Sequence, residues 1–194
     1  MTSSIYAIVG LGANLGDRQS MMAEALERLH WELGPVLKLA PVFETEPYGG
    51  VADQPFLNSA ALVQTHLIPE KILSSLQAIE GALGRVRTKK WENRIIDLDI
   101  LLMSRDRHGA ELIVTDEPGL TVPHPELMDR DFALVPAARV CPEWLFTDGV
   151  SLDRHVKDRG FQLPRSEPWP RLRIHAGENA SLLHEASVHR PKPS

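Results

Sequence analysis

A chain of 194 residues is long enough for one full hydrophobic core, and its 26 acidic against 21 basic side chains give a net charge of −5, the wrong sign for a general nucleic-acid binder. The single cysteine, Cys141, excludes an internal disulfide and is expected to be a packed thiol; no apolar run approaches the ~20 residues that span a bilayer. With no basic region and apolar core at the N-terminus, a cytoplasmic protein without a membrane or nucleic-acid partner is expected.

In chain order, Ile5 to Leu11 reads as an apolar strand running into a turn over residues 12–17. Gly10, Gly12 and Gly16 follow a GxGxxxG spacing rather than the GxGxxG of a dinucleotide fold, so they read as a tight strand-to-helix turn. No GxxxxGK[ST] phosphate loop occurs. A helix opens near Asp17, carries Met21, Met22, Ala25, Leu26 and Leu29 at helical spacing, and stops at Gly34-Pro35. Val36 to Thr45 is a strand bent at Pro41, followed by a Gly- and Pro-rich loop and a third strand, Phe56 to Thr65. Pro69-Glu70 opens a second helix with the apolar stripe Ile72, Leu73, Leu76, Ile79 and Leu83, ended by Gly84. A basic loop then leads into the strand that carries Asp97 and Asp99.

This β-α-β-β-α-β order predicts an α+β, ferredoxin-like core, its sheet covered by helices on one face and open on the other. Residues 103–159 are expected to add loops and short helices around Met128, Phe132–Ala138 and Leu152–Val156. Residues 1–159 would form the domain. Residues 160–194, rich in Pro, Arg, His and Ser, would form an extended or disordered tail.

Strand alternation puts Asp97 and Asp99 on one face and Ile96, Leu98 and Ile100 on the other. Aspartate is depleted in strands, so the pair needs a reason. A hard cation such as Mg²⁺, held by one or two carboxylates plus substrate phosphates, supplies one, with the upstream arginines Arg85, Arg87 and Arg94 as phosphate partners. The alternative is a half-exposed strand whose acids meet water. His124, in Thr121-Val-Pro-His-Pro125, is held by a rigid segment as either a structural or a functional imidazole; the other histidines lack metal-ligand spacing, which argues against zinc. Phe56, near Asn58, and Phe132, near Arg130, are either core residues or two walls of a slot for a flat heterocycle.

Four ordered motifs resemble the 6-hydroxymethyl-7,8-dihydropterin pyrophosphokinase family over residues 5–158. They are Leu11-Gly-Ala-Asn-Leu-Gly-Asp17; Thr45-Glu-Pro-Tyr-Gly49 with Gln54-Pro-Phe-Leu-Asn58; Glu80-x₃-Gly84-Arg-Val-Arg87-x₃-Trp91-x₂-Arg94-x₂-Asp97-Leu-Asp99; and Val122-Pro-His-Pro-x₄-Arg130-x-Phe132. The resemblance implies pyrophosphoryl transfer from ATP to a pterin alcohol in folate biosynthesis, on a ferredoxin-like fold. It implies that Asp97 and Asp99 hold two Mg²⁺ ions, and that Arg85 and Arg94 join them as catalytic residues. Phe56 and Phe132 would sandwich the pterin, with Asn58 and the backbone around Thr45, Pro47 and Tyr48 reading its edge. Gln77, Glu80, Arg87, Trp91, Arg94, Ile100, Thr121, His124 and Arg130 match positions that face ATP. Gly119 falls where some members place an arginine. A monomer is expected, with ATP and the pterin as its small-molecule partners.

Overall fold

The structure, a computed structural model, describes residues 4–47, 54–85, 94–163, 166, 167 and 169. Its elements are β1 (Ile5–Ala13), α1 (Arg18–Glu32), β2 (Val36–Leu39), β3 (Val42–Thr45), β4 (Phe56–Thr65), α2 (Pro69–Ala82), β5 (Asp97–Ser104), a hairpin of β6 (Thr115–Glu117) and β7 (Leu120–Val122), α3 (Asp131–Val140), α4 (Leu152–Arg159) and β8 (Ser166–Glu167). The main sheet runs β5-β1-β4-β3-β8, with β2 also on β4, and every neighbouring pair is antiparallel. This is the ferredoxin-like order, with β2 and β3 standing for one strand broken at Ala40-Pro41.

Asp17 caps α1, its carboxylate accepting from the Ser20 amide at 3.1 Å. Leu26 and Leu29 of α1 and Ile72, Leu76 and Ile79 of α2 meet Ala7, Val9, Leu57 and Val63 on one face of the sheet. The other face is also covered. There Leu134, Ala137 and Ala138 of α3, Leu152 of α4 and the indole of Trp144 pack on Ile8, Ala60, Leu62 and Leu102. The expectation of an open face therefore fails, because β4 is buried almost continuously rather than at alternate positions.

Two boundaries also differ from expectation. β1 runs on to Ala13, so Gly10 and Gly12 lie inside a strand paired on both sides, not in the turn. Beyond Gly160, Ser166 and Glu167 pair with Phe43 and Val42 of β3, and Trp169 is a buried anchor that composition passes over. No helix among the described residues is long and apolar enough to cross a membrane.

Candidate active site

The pairing register builds the site. Asp97 lies opposite Gly12 and Asp99 opposite Gly10, while Gly12 faces Asn58 across its other edge. Two residues without side chains, beside two carboxylates, leave open space above the sheet. That space is a cleft of about 240 Å³ whose floor includes Gly10 and Gly12. A bulge follows in β5: Ile100 pairs with Val9 and Leu102 with Ile8, leaving Leu101 as the extra residue facing the cleft. A Cβ on Gly10 would sit 3.2 Å from the Leu101 side chain, and one on Gly12 would sit 3.0 Å from Asn58 Oδ1.

β5 is an edge strand, and the amide of Leu98, between the two aspartates, donates to Glu80 Oε1 of α2 at 2.7 Å. Glu80 also pairs with Arg85, and Arg85 and Arg94 both pair with Asp97. Asp99 is pushed up to about 7 by loss of hydration in the cleft, and the charges of Asp97 and Glu80 add to the effect. Glu80 is raised chiefly by burial, against the Leu98 amide and Arg85, which favour its anion. Asp97 and Asp99 offer oxygen donors only, and among the described residues no three or more His, Cys, Asp or Glu side chains are grouped so that they could hold a metal ion by themselves. That donor set fits Mg²⁺ completed by phosphate oxygens and does not fit a closed zinc site.

The opposite wall is aromatic. Phe56 begins β4 and Phe132 lies in the first turn of α3, and both line the cleft. Asn58 Nδ2 donates to Thr45 Oγ1 of β3 at 2.7 Å, which fixes the buried amide. The Arg130 guanidinium lies 5.7 Å from the centre of the Phe132 ring and pairs with Glu126. His124 Nδ1 accepts from the Glu126 amide at 3.2 Å, so the neutral ring carries its proton on Nε2. Burial, with the Arg130 charge, lowers its pKa and favours that neutral form.

Of the residues singled out in the sequence, Thr45, Phe56, Asn58, Arg94, Asp97, Asp99, His124, Arg130 and Phe132 converge on the cleft. Arg85 and Glu80 stand behind Asp97 and Leu98 rather than on the cleft wall. The Ile100 side chain packs in the α1–α2 core, on the far face from the aspartates, so it offers the cleft no side chain. Gln77 is exposed and Glu80 buried, and neither lines the cleft. Thr121 is exposed and donates to Asp116 at 2.9 Å, and Pro47 lies off the cleft wall. Gly119 occupies the β6–β7 turn at φ +84, a backbone that favours glycine over arginine. Tyr48, Arg87 and Trp91 lie outside the described residues.

Sequence reasoning missed the floor glycines, although their i, i+2 spacing puts both on one strand face. It also missed Asn14, which is buried, accepts from the Arg94 amide at 2.6 Å and donates to the Gln54 carbonyl at 3.4 Å. Arg18 adds a 2.7 Å bond to the Pro55 carbonyl, so the β1–α1 junction ties down the segments on both sides of the cleft.

Comparison with known proteins follows the same geometry. Residues 8–142 match the family described as 7,8-dihydro-6-hydroxymethylpterin-pyrophosphokinase, HPPK. The chain is similar to a Porphyromonas gingivalis protein named 2-amino-4-hydroxy-6-hydroxymethyldihydropteridine pyrophosphokinase, 41% identical over 71% of this chain and 90% of that one. Proteins of the same name from Bacillus subtilis, 37% identical over 71% and 78%, and Pseudomonas aeruginosa, 39% identical over 78% and 89%, are also similar. In fold the chain resembles a crystal structure of an HPPK-DHPS in complex with substrates, with a TM-score of 0.63 at 13% identity over 80% of this chain. It also resembles the Plasmodium falciparum HPPK-DHPS with pteroate, TM-score 0.62 at 14% identity over 80%. The chain spans less than half of these longer proteins, 44% and 42%. The chain belongs to the 7,8-dihydro-6-hydroxymethylpterin-pyrophosphokinase family.

Proposed function

We propose that this chain transfers the pyrophosphoryl group of ATP to the hydroxymethyl oxygen of 6-hydroxymethyl-7,8-dihydropterin, giving AMP and the pterin diphosphate, a step of folate biosynthesis. The observation that carries this is one cleft with a carboxylate pair at one side, an aromatic pair with a buried amide at the other, and glycines between. The working unit is a single chain, since one chain supplies both halves.

Phe56 and Phe132 flank the flat pterin, and the Asn58 amide, oriented by Thr45, meets its hydrogen-bonding edge. The pterin hydroxyl oxygen attacks the β-phosphorus in line as the bond from that phosphorus to the α-phosphate oxygen breaks, and AMP leaves with the electron pair. His124 presents its Nε2 proton, and Arg130 its charge, to phosphate oxygens. Arg94 on the cleft wall and Arg85 behind it, both paired with Asp97, would supply further positive charge to the triphosphate. Tyr48, Arg87 and Trp91 join the site by their motif positions. Asp97 and Asp99 would hold Mg²⁺, in our proposal two ions, which would neutralise phosphate charge and acidify the hydroxyl, whose proton passes to water.

Incubation with Mg-ATP and the reduced hydroxymethyl pterin, followed by nucleotide separation, tests this. Pterin-dependent AMP with a matching pterin diphosphate is expected. ADP would mean single phosphoryl transfer on the same scaffold, and ATP binding without either product would mean a binding module.

A further inference from the structure

The segment that follows α4 returns to the sheet beside the aromatic half of the cleft. β3 is four residues long and meets β4 through three pairs, Phe43↔Asn58, Glu44↔Leu57 and Thr45↔Phe56. Two of the three β4 residues, Asn58 and Phe56, line the cleft, and Thr45 is bonded to Asn58. Left alone, so short a strand would be a frayed edge. Ser166 and Glu167 close that edge by pairing with Phe43 and Val42.

Trp169 then locks the strap. Its side chain is buried with the α1–α2 core, and its Nε1 donates to the Ala40 carbonyl at 2.8 Å. The same carbonyl accepts from the Ser59 hydroxyl at 3.0 Å. Ser59 is the neighbour of Asn58. The break at Ala40-Pro41 leaves one carbonyl that is shared by the strap and by the strand carrying the cleft's amide. In the sheet order β5-β1-β4-β3-β8, the strap borders the aromatic half, whereas the carboxylates lie on the opposite edge strand. It also lies beyond residue 142, where the family match ends.

We infer that Trp169 is a positioning residue: through the Ala40 carbonyl and β3, the C-terminal strap fixes Thr45 and Asn58 and so sets affinity for the pterin but not for ATP. This rests on the cleft being the pterin site. A merely structural anchor would lower stability and weaken both ligands alike. The separation of the two halves across the sheet makes the difference measurable.

The test uses the full chain with Trp169→Phe, which keeps an aromatic ring and removes the N–H, and Trp169→Ala. Calorimetric titrations with the hydroxymethyl pterin and with Mg-ATP are run where circular dichroism shows each variant folded. A core variant, Ile72→Val, serves as the control for general destabilisation. Trp169→Ala is expected to raise the pterin Kd and KM about tenfold, and Trp169→Phe about threefold, with the ATP Kd within about twofold of the parent chain. Ile72→Val should move neither. Equal shifts for both ligands, or no shift in the Phe variant and in any folded Ala variant, would overturn the inference. A parent chain that binds no pterin would overturn the assignment of the cleft, and the strap's role with it. Normal pterin binding by the parent with unselective variants would overturn the strap's role alone.

Discussion

Glu80 gives the sharpest test of how the carboxylate half is held. The residue is 5% exposed, and its Oε1 accepts from the Leu98 amide at 2.7 Å, between the two aspartates. Glu80→Gln keeps an oxygen for that amide and gives up only the charge. The charge contributes little net stability, because burial already disfavours it and Arg85 retains Asp97. Its loss also relieves repulsion on Asp99. Gln is therefore expected to cost no more than about 1 kcal/mol. Glu80→Ala strips the acceptor from a buried edge-strand amide, about 1–3 kcal/mol, and removes one methylene along with the carboxylate, so about 2–4 kcal/mol in all. Urea unfolding at neutral pH without divalent cation measures both. Gln as damaging as Ala would show that charge, not the Leu98 bond, holds β5. A silent Ala variant would refute the role of Glu80 in placing the aspartates.

Four further outcomes are expected. Gly12→Ala, whose Cβ would stand 3.0 Å from Asn58 Oδ1, should displace the amide and weaken the pterin about tenfold by calorimetry, with a smaller effect on ATP. Asp97→Ala should fold normally by circular dichroism yet lose roughly a thousandfold in turnover, equivalent to about 4 kcal/mol of transition-state stabilisation; near-normal turnover would remove Asp97 from the metal site. Asp99, raised from 3.8 to about 7, keeps a proton that the unfolded chain releases, so its stabilising contribution is full below about pH 4 and is lost as pH rises through 7. The urea stability of the cation-free chain relative to Asp99→Asn should fall over that window, and excess Mg²⁺ should oppose the fall. Cys141, buried and pushed up to about 12, should resist alkylation in the folded chain and react on unfolding.

The order of elements was legible because each carries local signals: Asp17 as a cap, Pro69 at a helix start, Pro41 at a strand break. The site side chains that converge were legible because they come from compact motifs at fixed spacing. What escaped was set by long-range pairing. Gly10 and Gly12 resemble turn glycines until Asp97, Asp99 and Asn58 are placed beside them by register. The second covered face was hinted at by the unbroken apolar run from Ile100 to Met103, buried on both sides, but a run of that kind does not say which later helix arrives. Ile100 shows the converse, a motif position whose side chain is turned away from the cleft. Its motif position suggested the nucleotide, whereas simple alternation already put its side chain in the core.

The covering of the second face and the formation of the cleft have one origin. α3 packs its Leu134 and Ala137 over the small residues in the middle of β4, such as Ala60, and its first turn carries Phe132 past the end of that packing. There the sheet presents Gly10 and Gly12 instead of apolar side chains, so the helix has nothing to rest on and a cleft opens beneath it. The contact that completes the core thus places Phe132, while the register of β1 with β4 and β5 places the glycine floor, Asn58 and the carboxylates. A bulky residue at Ala60 would lift α3 and disturb Phe132 without touching Asp97 or Asp99. Ala60→Leu should therefore weaken the pterin several-fold more than ATP, and equal losses for both ligands would show that α3 does not carry the aromatic wall.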